Sequence, residues 1–141
     1  MELKFKVLDS GTLPTRAHRE DAGFDLYSPV DVILNHTTNI IKLGVCVEIP
    51  KGYVGFIMGR SSLNKHGVAC LTGVIDSGYT GEIVVILNPV EDVTRIITRI
   101  KKGDRIAQLV VAKLADIDDA VAVDSLEDSE RGAGGFGSTG V

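Results

Sequence analysis

The chain has 141 residues, of which 44% are hydrophobic and 24% are charged, and its formal net charge is −4 at pH 7. This length suits one ordinary domain with a core of its own, and the composition is that of a globular protein rather than a disordered one. The acidic balance argues against a protein that binds nucleic acid by non-specific phosphate neutralisation, because that needs a basic surface.

The N-terminal segment gives no sign of secretion or membrane insertion. Residues 1–11 alternate charged and hydrophobic side chains, which is not the pattern of a signal or transit peptide. No apolar run approaches the length of a membrane span. We therefore expect a cytoplasmic protein that contacts neither membrane nor nucleic acid.

The two cysteines, Cys46 and Cys70, are each flanked by apolar residues and do not form a C-x-x-C pattern. We expect both to be small buried residues rather than a disulfide pair or metal ligands.

In chain order, short alternating or β-branched runs predict a series of strands, separated by turn signals such as those at 50–52 and 102–104. The predicted strands are 3–7, 30–34, 39–43, 45–49, 53–58, 82–87, 94–100 and 105–111. One helical turn is predicted at 61–66, with a serine as its N-cap and Gly67 after it. The pattern indicates an all-β barrel or jelly-roll-like sandwich with one short helix.

The last part of the chain differs in composition. Residues 124–130 are polar and acidic, and residues 131–141 contain five glycines. Such a segment buries too little surface to order itself, so we expect a β domain at 1–123 and a flexible tail at 124–141. The tail is either a mobile terminus or a lid that orders over a ligand, with Phe136 as its stacking aromatic.

Five short motifs follow one another along the chain, and each is weak on its own. They are Ala22-Gly-Phe-Asp-Leu-Tyr-Ser28, Gly59-Arg-Ser-Ser-Leu63, Gly73-Val-Ile-Asp-Ser-Gly-Tyr-Thr-Gly-Glu82, Lys102-Gly-Asp-Arg-Ile-Ala-Gln-Leu109 and Arg131-Gly-Ala-Gly-Gly-Phe-Gly-Ser-Thr-Gly140. In this order and spacing the series resembles the five motifs of the trimeric dUTPase family, from about residue 20 to the C-terminus. The resemblance implies a distorted jelly roll and a homotrimer with active sites at subunit interfaces. It also implies Mg²⁺-dependent hydrolysis of dUTP to dUMP and pyrophosphate, which limits uracil in DNA and supplies dUMP for dTMP synthesis.

The resemblance assigns base recognition and catalysis to the third motif. There the main chain of Gly73, Val74 and Ile75 is expected to form part of a β-hairpin that reads the edge of uracil. Fixed backbone donors and acceptors would reject cytosine by leaving polar groups unpaired. Asp76 is the expected general base, which positions a water to attack the α-phosphorus, and Tyr79 is expected to lie against the deoxyribose.

The second and fourth motifs are expected to bind the triphosphate. Arg60 suits this role because its fork matches phosphate oxygens, and Ser61, Ser62 and Gln108 are the further expected donors. Mg²⁺ would be held mainly by the triphosphate itself, with no direct protein ligand, and Asp25 would help through water.

The fifth motif is the expected lid. By resemblance, Arg131 contacts phosphate, Phe136 stacks on the uracil ring, and Gly137, Ser138 and Thr139 cover the β- and γ-phosphates. Base–aromatic stacking is worth about 1–3 kcal/mol in single-stranded binders, which helps to order a short tail.

Two positions depart from the family pattern, and two other functions stay open. Gly59 stands where many members have proline, and Cys70 stands where an asparagine often contacts the base, so a main-chain contact with uracil is expected in place of the asparagine. The related dCTP deaminase shares the fold and an Arg-Ser-Ser segment, although the glycine-rich tail favours a dUTPase. Some relatives act as regulators that bind a protein partner, with nucleotide as the switch.

Overall fold

A computed structural model describes residues 1–90 and 99–135, and the regular secondary structure of these residues is almost entirely β-strand. The strands are β1 (Lys4–Val7), β2 (Gly23–Tyr27), β3 (Val32–Ile33), β4 (Asn39–Glu48), β5 (Tyr53–Met58), β6 (Val68–Cys70), β7 (Gly73–Ile75), β8 (Glu82–Pro89), β9 (Arg99–Ile100) and β10 (Arg105–Lys113). The single helix among the described residues, α1, spans Ser61–Lys65.

The strands form two four-stranded sheets and one two-stranded sheet. The first four-stranded sheet has the order β1-β4-β8-β6, the second has β2-β10-β5-β7, and β3 pairs with β9. All of these pairings are antiparallel. Within the described ranges the sheets do not close into a barrel, so the fold is the predicted all-β sandwich in its distorted jelly-roll form.

The core lies where the two larger sheets present their apolar faces. Along β8 the residues Ile83, Val85 and Leu87 are each no more than 1% exposed, and the residues between them are only partly buried. This period of two places one face of the strand against the core. Buried residues from both sheets, including Leu26 of β2 and Leu109 of β10, form one hydrophobic cluster that supports the strand ends described below.

Several predicted strands are confirmed and others are corrected. The prediction for 53–58 matches β5. The two runs predicted at 39–43 and 45–49 are one strand, β4, because a β-bulge at Gly44, with φ of +68°, lets the strand continue. The run predicted at 30–34 shortens to β3.

Two further differences concern the edge strand β2 of the second sheet and the strand predicted at 94–100. The sequence did not predict β2, whose residues mix aromatic, acidic and aliphatic side chains. Of the strand predicted at 94–100, only Arg99 and Ile100 lie within the described residues, and these form β9.

The helix is confirmed, but its predicted serine cap is wrong. Its N-cap is Arg60, with extended backbone (φ −102°, ψ 140°) and no side-chain hydrogen bond to the first turn. Because the helix begins at Ser61, both serines lie inside its first turn. In the described part of the chain, no helix has the length and apolar character needed to cross a membrane.

The expectation that both cysteines are buried is also wrong, since each is only half-buried, and both thiols are free. Cys46 lies between Val45 and Val47, which are both buried in the core, so its side chain points to the opposite face of β4. Cys70 ends the edge strand β6, and partial burial raises the pKa of its thiol.

Candidate active site

Three of the motifs meet because their strands are neighbours in the second sheet. β10 lies between β2 and β5, and Gln108 is directly opposite both Asp25 of β2 and Met58 of β5. The Gln108 side chain donates from Nε2 to the carbonyl oxygen of Gly59, at 2.9 Å. These neighbouring positions on β2, β10 and the end of β5 therefore bring together residues of the first, second and fourth motifs.

Asp25 bridges two arginines at these positions. Its Oδ1 is 3.0 Å from Nε of Arg60, and its Oδ2 accepts from Nη1 of Arg105 at 3.3 Å. The Asp25 and Arg60 side chains are only 17% and 23% exposed, whereas that of Arg105 is 51% exposed. Arg60 also donates from Nη1 to the carbonyl oxygen of Arg105, at 3.3 Å. Each guanidinium carries five N–H donors, so these bonds leave donors for a ligand.

Arg105 was not singled out from the sequence. In a regular strand, residues three positions apart point to opposite faces, so Arg105 and Gln108 would not share a site. The pairing of β10 with β2 shifts register between Arg105 and Ala107. This β-bulge changes the phase of the alternation and lets both side chains line one cavity. The presence of Arg105 within the fourth motif was the one feature of the sequence that could have indicated it as a site residue.

The cavity at these positions has a volume of about 300 Å³ and a mostly polar lining. Its lining residues are Ala17, Asp21, Ala22, Gly23, Asp25, Arg60, Ser61, Arg105 and Gln108. Gly23 leaves the room that Gln108 needs, because a Cβ there would be 2.8 Å from the Gln108 Oε1 atom.

The two serines of the second motif lie on different sides of the arginines. Ser61 lines the cavity just described, whereas Ser62 lines a second cavity of about 330 Å³, together with His66. Arg60 and Arg105 line both cavities. We call these two neighbouring cavities, which share Arg60 and Arg105 and include Asp25 and Gln108, the arginine cleft. Its donors and polar lining suit an anion with several oxygen atoms.

The two acidic residues of the first cavity, Asp21 and Asp25, are both engaged by other groups of the chain. Both oxygens of Asp25 already contact arginines. Asp21 accepts the backbone N–H of His18 at 2.8 Å, and this bond is the main reason that the pKa of Asp21 is lowered. Within residues 1–90 and 99–135, no three His, Cys, Asp or Glu side chains are placed to hold a metal together.

The third motif forms a separate cavity at the opposite edge of the same sheet. The motif is not the expected hydrogen-bonded hairpin, because β7 pairs with β5 while β8 pairs with β4 and β6 of the other sheet. The two arms are joined by a turn in which Tyr79 N–H donates to the Asp76 carbonyl oxygen, at 3.0 Å. Between them lies a cavity of about 160 Å³, lined by Ile57, Gly73, Val74, Ile75, Tyr79, Glu82, Ile83 and Val84. We call it the edge cavity.

β7 is an edge strand within the described residues, with β5 on one side only. The outward N–H and C=O groups of an edge strand are not used by the sheet, so they can bind a flat polar ligand. Val74 is 63% exposed, and Asp76 follows the strand directly and is also exposed. The structure therefore places Gly73, Val74, Ile75 and Tyr79 around the edge cavity, and Asp76 lies next to Ile75 at the end of β7.

Asp25 of the arginine cleft and Asp76 beside the edge cavity lie far apart in one chain. Asp25 and Asp76 are separated by three strand spacings across the sheet, from β2 to β7, and Asp76 follows Ile75, which pairs with Gly55. At about 4.8 Å per strand and about 3.3 Å per residue, this corresponds to roughly 20 Å between the two aspartates.

The structure does not bring Arg131 to either cavity. Its side chain is exposed and donates from Nε to the nearby Gly134 carbonyl oxygen, at 2.9 Å. The other expected tail residues, Phe136, Gly137, Ser138 and Thr139, lie outside the described residues.

A family model described as dUTPase matches residues 9–140. A deoxyuridine 5'-triphosphate nucleotidohydrolase of Paramecium bursaria Chlorella virus 1 is 43% identical over 138 residues, covering 96% of this chain and 95% of the viral one.

Two solved structures show the same similarity in three dimensions. A mutant of the Staphylococcus bacteriophage 80alpha dUTPase with dUpNHpp has a TM-score of 0.88 and 34% identity, with 99% of both chains covered. A mutant dUTPase of phage phi11 of S. aureus, whose structure is described as showing the coordination of a structural Mg(II) ion, has a TM-score of 0.78 and 27% identity, covering 91% of this chain and all of the phage chain. With the family model spanning nearly the whole sequence, this chain belongs to the dUTPase family.

Proposed function

We propose that this chain hydrolyses dUTP to dUMP and pyrophosphate. The observation that carries the proposal is the position of Asp76, an exposed carboxylate directly after the edge strand that lines a small, mainly apolar cavity. A planar base in that cavity would be bound by backbone groups, and a carboxylate beside it would act on the attached chain of phosphates.

The edge cavity would select uracil by hydrogen bonding from the main chain of Gly73, Val74 and Ile75. Uracil presents an acceptor at O4 and a donor at N3, whereas cytosine presents the reverse. Backbone groups held by the pairing of β7 with β5 cannot exchange donor for acceptor, so cytosine would leave buried groups unpaired. The 5-methyl of thymine would be excluded by the narrow space between the two arms.

Asp76 would act as the general base, taking a proton from a water that attacks the α-phosphorus in line with the departing pyrophosphate. Proton removal by a positioned side chain typically contributes about 10²–10⁴-fold to the rate. Tyr79 would lie against the deoxyribose and exclude a 2′-hydroxyl.

The arginine cleft would bind the triphosphate. Arg60 would hold phosphate oxygens through its planar fork, and Ser61, Ser62 and Gln108 would add neutral donors. We add Arg105 to this set, because it shares the Asp25 carboxylate with Arg60 and lines the same cavities. These donors would stabilise the negative charge that develops on the departing pyrophosphate.

Mg²⁺ is proposed as the cofactor, held mainly by the triphosphate. Asp25 and Asp21, which line the arginine cleft, would orient waters around it. When bound, the ion would neutralise phosphate charge and favour departure of pyrophosphate.

A complete site would require more than one copy of the chain. In one chain Asp76 and Asp25 lie roughly 20 Å apart by the strand geometry given above, too far for both to act on the same phosphate group. We therefore propose a homotrimer in which the two sites of different subunits face each other.

The C-terminal segment is proposed to complete the site. Residues 113–135 are exposed apart from one partly buried position, and they include apolar side chains such as Ile117, at 77%, and Leu126, at 85%. Residues 1–123 would form the β domain and 124–141 the lid. In the lid, Arg131 would contact phosphate, Phe136 would stack on uracil, and Gly137, Ser138 and Thr139 would cover the outer phosphates.

The test is a pyrophosphate-release panel with dUTP, UTP, dTTP and dCTP, each with and without Mg²⁺. We expect release from dUTP alone, and only when Mg²⁺ is present. Ammonia release from dCTP without pyrophosphate release from dUTP would favour the deaminase function instead. An intact protein that leaves dUTP unchanged in excess Mg²⁺ would refute the proposal.

A further inference from the structure

Tyr79 makes two hydrogen bonds within its own turn, one from its backbone and one from its ring hydroxyl. Its backbone N–H donates to the Asp76 carbonyl oxygen at 3.0 Å, and its hydroxyl donates to the Glu82 carbonyl oxygen, also at 3.0 Å. The residue is nevertheless 46% exposed and lines the edge cavity. A half-exposed aromatic ring would otherwise be free to change rotamer, so the hydroxyl bond holds the ring, while the backbone bond fixes the turn that carries it.

Gly81 provides the space in which the ring lies. A Cβ at this position would be 2.5 Å from the Tyr79 hydroxyl oxygen, 2.6 Å from Cζ and 2.9 Å from Cε2. All three distances are shorter than real Cβ contacts, so any side chain at residue 81 must displace the ring. Gly81 is not among the glycines with positive φ, so its backbone accepts alanine. The three nearest atoms that a Cβ at residue 81 would meet all belong to the Tyr79 side chain.

Gly78, in the same turn, is a matched comparison. It also lacks a positive φ, and among the described residues a Cβ there would meet no atom within 4 Å. An alanine at either position changes the entropy of the unfolded chain similarly, but only alanine at 81 conflicts with Tyr79.

Glu82 fixes the other end of this arrangement. Its Oε1 accepts the backbone N–H of Gly44 at 2.8 Å, and the residue pairs with Cys46 across β8 and β4. The carbonyl group that receives the Tyr79 hydroxyl is therefore tied to the β-bulge of the neighbouring strand.

We propose that Gly81 and Glu82 are positioning residues that hold the Tyr79 ring across the edge cavity and thereby set the selection of deoxyribose over ribose. The proposal rests on the proposed function and adds the residues that determine its sugar specificity. The Tyr79 hydroxyl acts within the protein, and the ring itself meets the sugar. A ring displaced from this place leaves room for a 2′-hydroxyl.

The test compares Gly81→Ala with Gly78→Ala, using the ratio of kcat/KM for dUTP to kcat/KM for UTP. We expect the ratio to fall by at least about tenfold in Gly81→Ala, since steric rejection of one small group is worth about 10–200-fold. Gly78→Ala should keep the wild-type ratio. In a Tyr79→Ala background, Gly81→Ala should cause no further fall, because the ring through which it acts is gone. A Gly81→Ala protein with the wild-type ratio overturns the proposal.

Two readouts that need no catalysis separate this proposal from the proposed function. Titration with dUDP and UDP gives the sugar preference in binding, and NMR of ring-labelled tyrosine reports the position of Tyr79. Gly81→Ala should lose the preference for dUDP and shift the Tyr79 signals, whereas Gly78→Ala should do neither. If the wild type fails to hydrolyse dUTP, the activity proposal falls, yet these readouts still decide the role of Gly81. Wild-type protein that binds dUDP and UDP equally overturns the sugar-selection role.

The part of Glu82 is tested by two variants. Glu82→Gln keeps an oxygen that accepts the Gly44 N–H, so its sugar preference should resemble that of the wild type. Glu82→Ala removes the acceptor and should lower the preference. If the two variants preferred deoxyribose over ribose equally, the Glu82 side chain would have no part in positioning Tyr79.

Discussion

Replacement of Asp25 by asparagine tests whether this carboxylate holds the arginine cleft together. At an effective dielectric constant of about 20, each of its two contacts, at 3.0 and 3.3 Å, has a gross Coulomb attraction of about 5 kcal/mol. Desolvation of the charges offsets much of this, and removal of one partner from a fully buried pair costs about 3–5 kcal/mol. Arg105 is half-exposed and asparagine retains one acceptor oxygen. We therefore expect a loss of about 2 kcal/mol in the free energy of unfolding.

That loss corresponds to a fall in Tm of about 4–8 °C for a chain of this size. The assay is thermal unfolding followed by circular dichroism, at one protein concentration because oligomerisation makes Tm depend on concentration. Glu48→Gln is the control, since the Lys4–Glu48 pair has a similar 3.2 Å distance but side chains 73% and 61% exposed. Exposed pairs contribute about 0–1 kcal/mol, so its Tm should change much less.

The coupling between the charges gives a second check. If Asp25 acts through the arginines, Asp25→Asn and Arg105→Gln each remove part of the same interaction. The free energy of unfolding lost in the double variant should then be smaller than the sum of the losses in the two single variants. The bridging role would be refuted if Asp25→Asn had the same Tm as the wild type. It would also be refuted if the double variant lost the full sum of the two single losses in the free energy of unfolding.

Three other predictions concern catalysis, the tail and acid stability. Asp76→Asn should still bind dUTP but turn over about 10²–10⁴-fold more slowly, as single-turnover kinetics would show; near-wild-type turnover removes Asp76 from its role. Deletion of residues 131–141 should leave Tm unchanged but lower kcat/KM at least about fivefold, the equivalent of one lost stacking contact, and full activity would rule out the lid. Hydrogen bonds from the Lys102 N–H and from Arg99 lower the pKa of Asp31 below its ordinary value of 3.8. The Asp31 carboxylate therefore stabilises the fold fully above pH 3.8, and this stabilisation is lost as the pH falls through the lowered pKa. Asp31→Asn should therefore be less stable than the wild type at neutral pH and equal to it in strong acid, and a difference in Tm that persists in acid would contradict this.

The sequence alone determined the fold class, most of the strands and the family. Alternating side chains report which face of a strand is buried, because that property repeats every two residues and needs no knowledge of neighbours. Short apolar and β-branched runs between turn signals predicted the strands at 53–58 and 82–87 in the same local way. The motifs likewise singled out Gln108 and Asp76 as candidate site residues by residue type and order.

Only the tertiary structure decided which of these residues meet. Asp25 and Gln108 are far apart in sequence but directly opposite each other, since strand pairing is a long-range choice that local patterns do not record. A bulge in β10 brought Arg105 to the same cavity, and the assignment of β7 and β8 to different sheets replaced the expected hairpin. The place of the Tyr79 ring above Gly81 is decided in the same way, because contacts between side chain and backbone depend on the folded path of the turn.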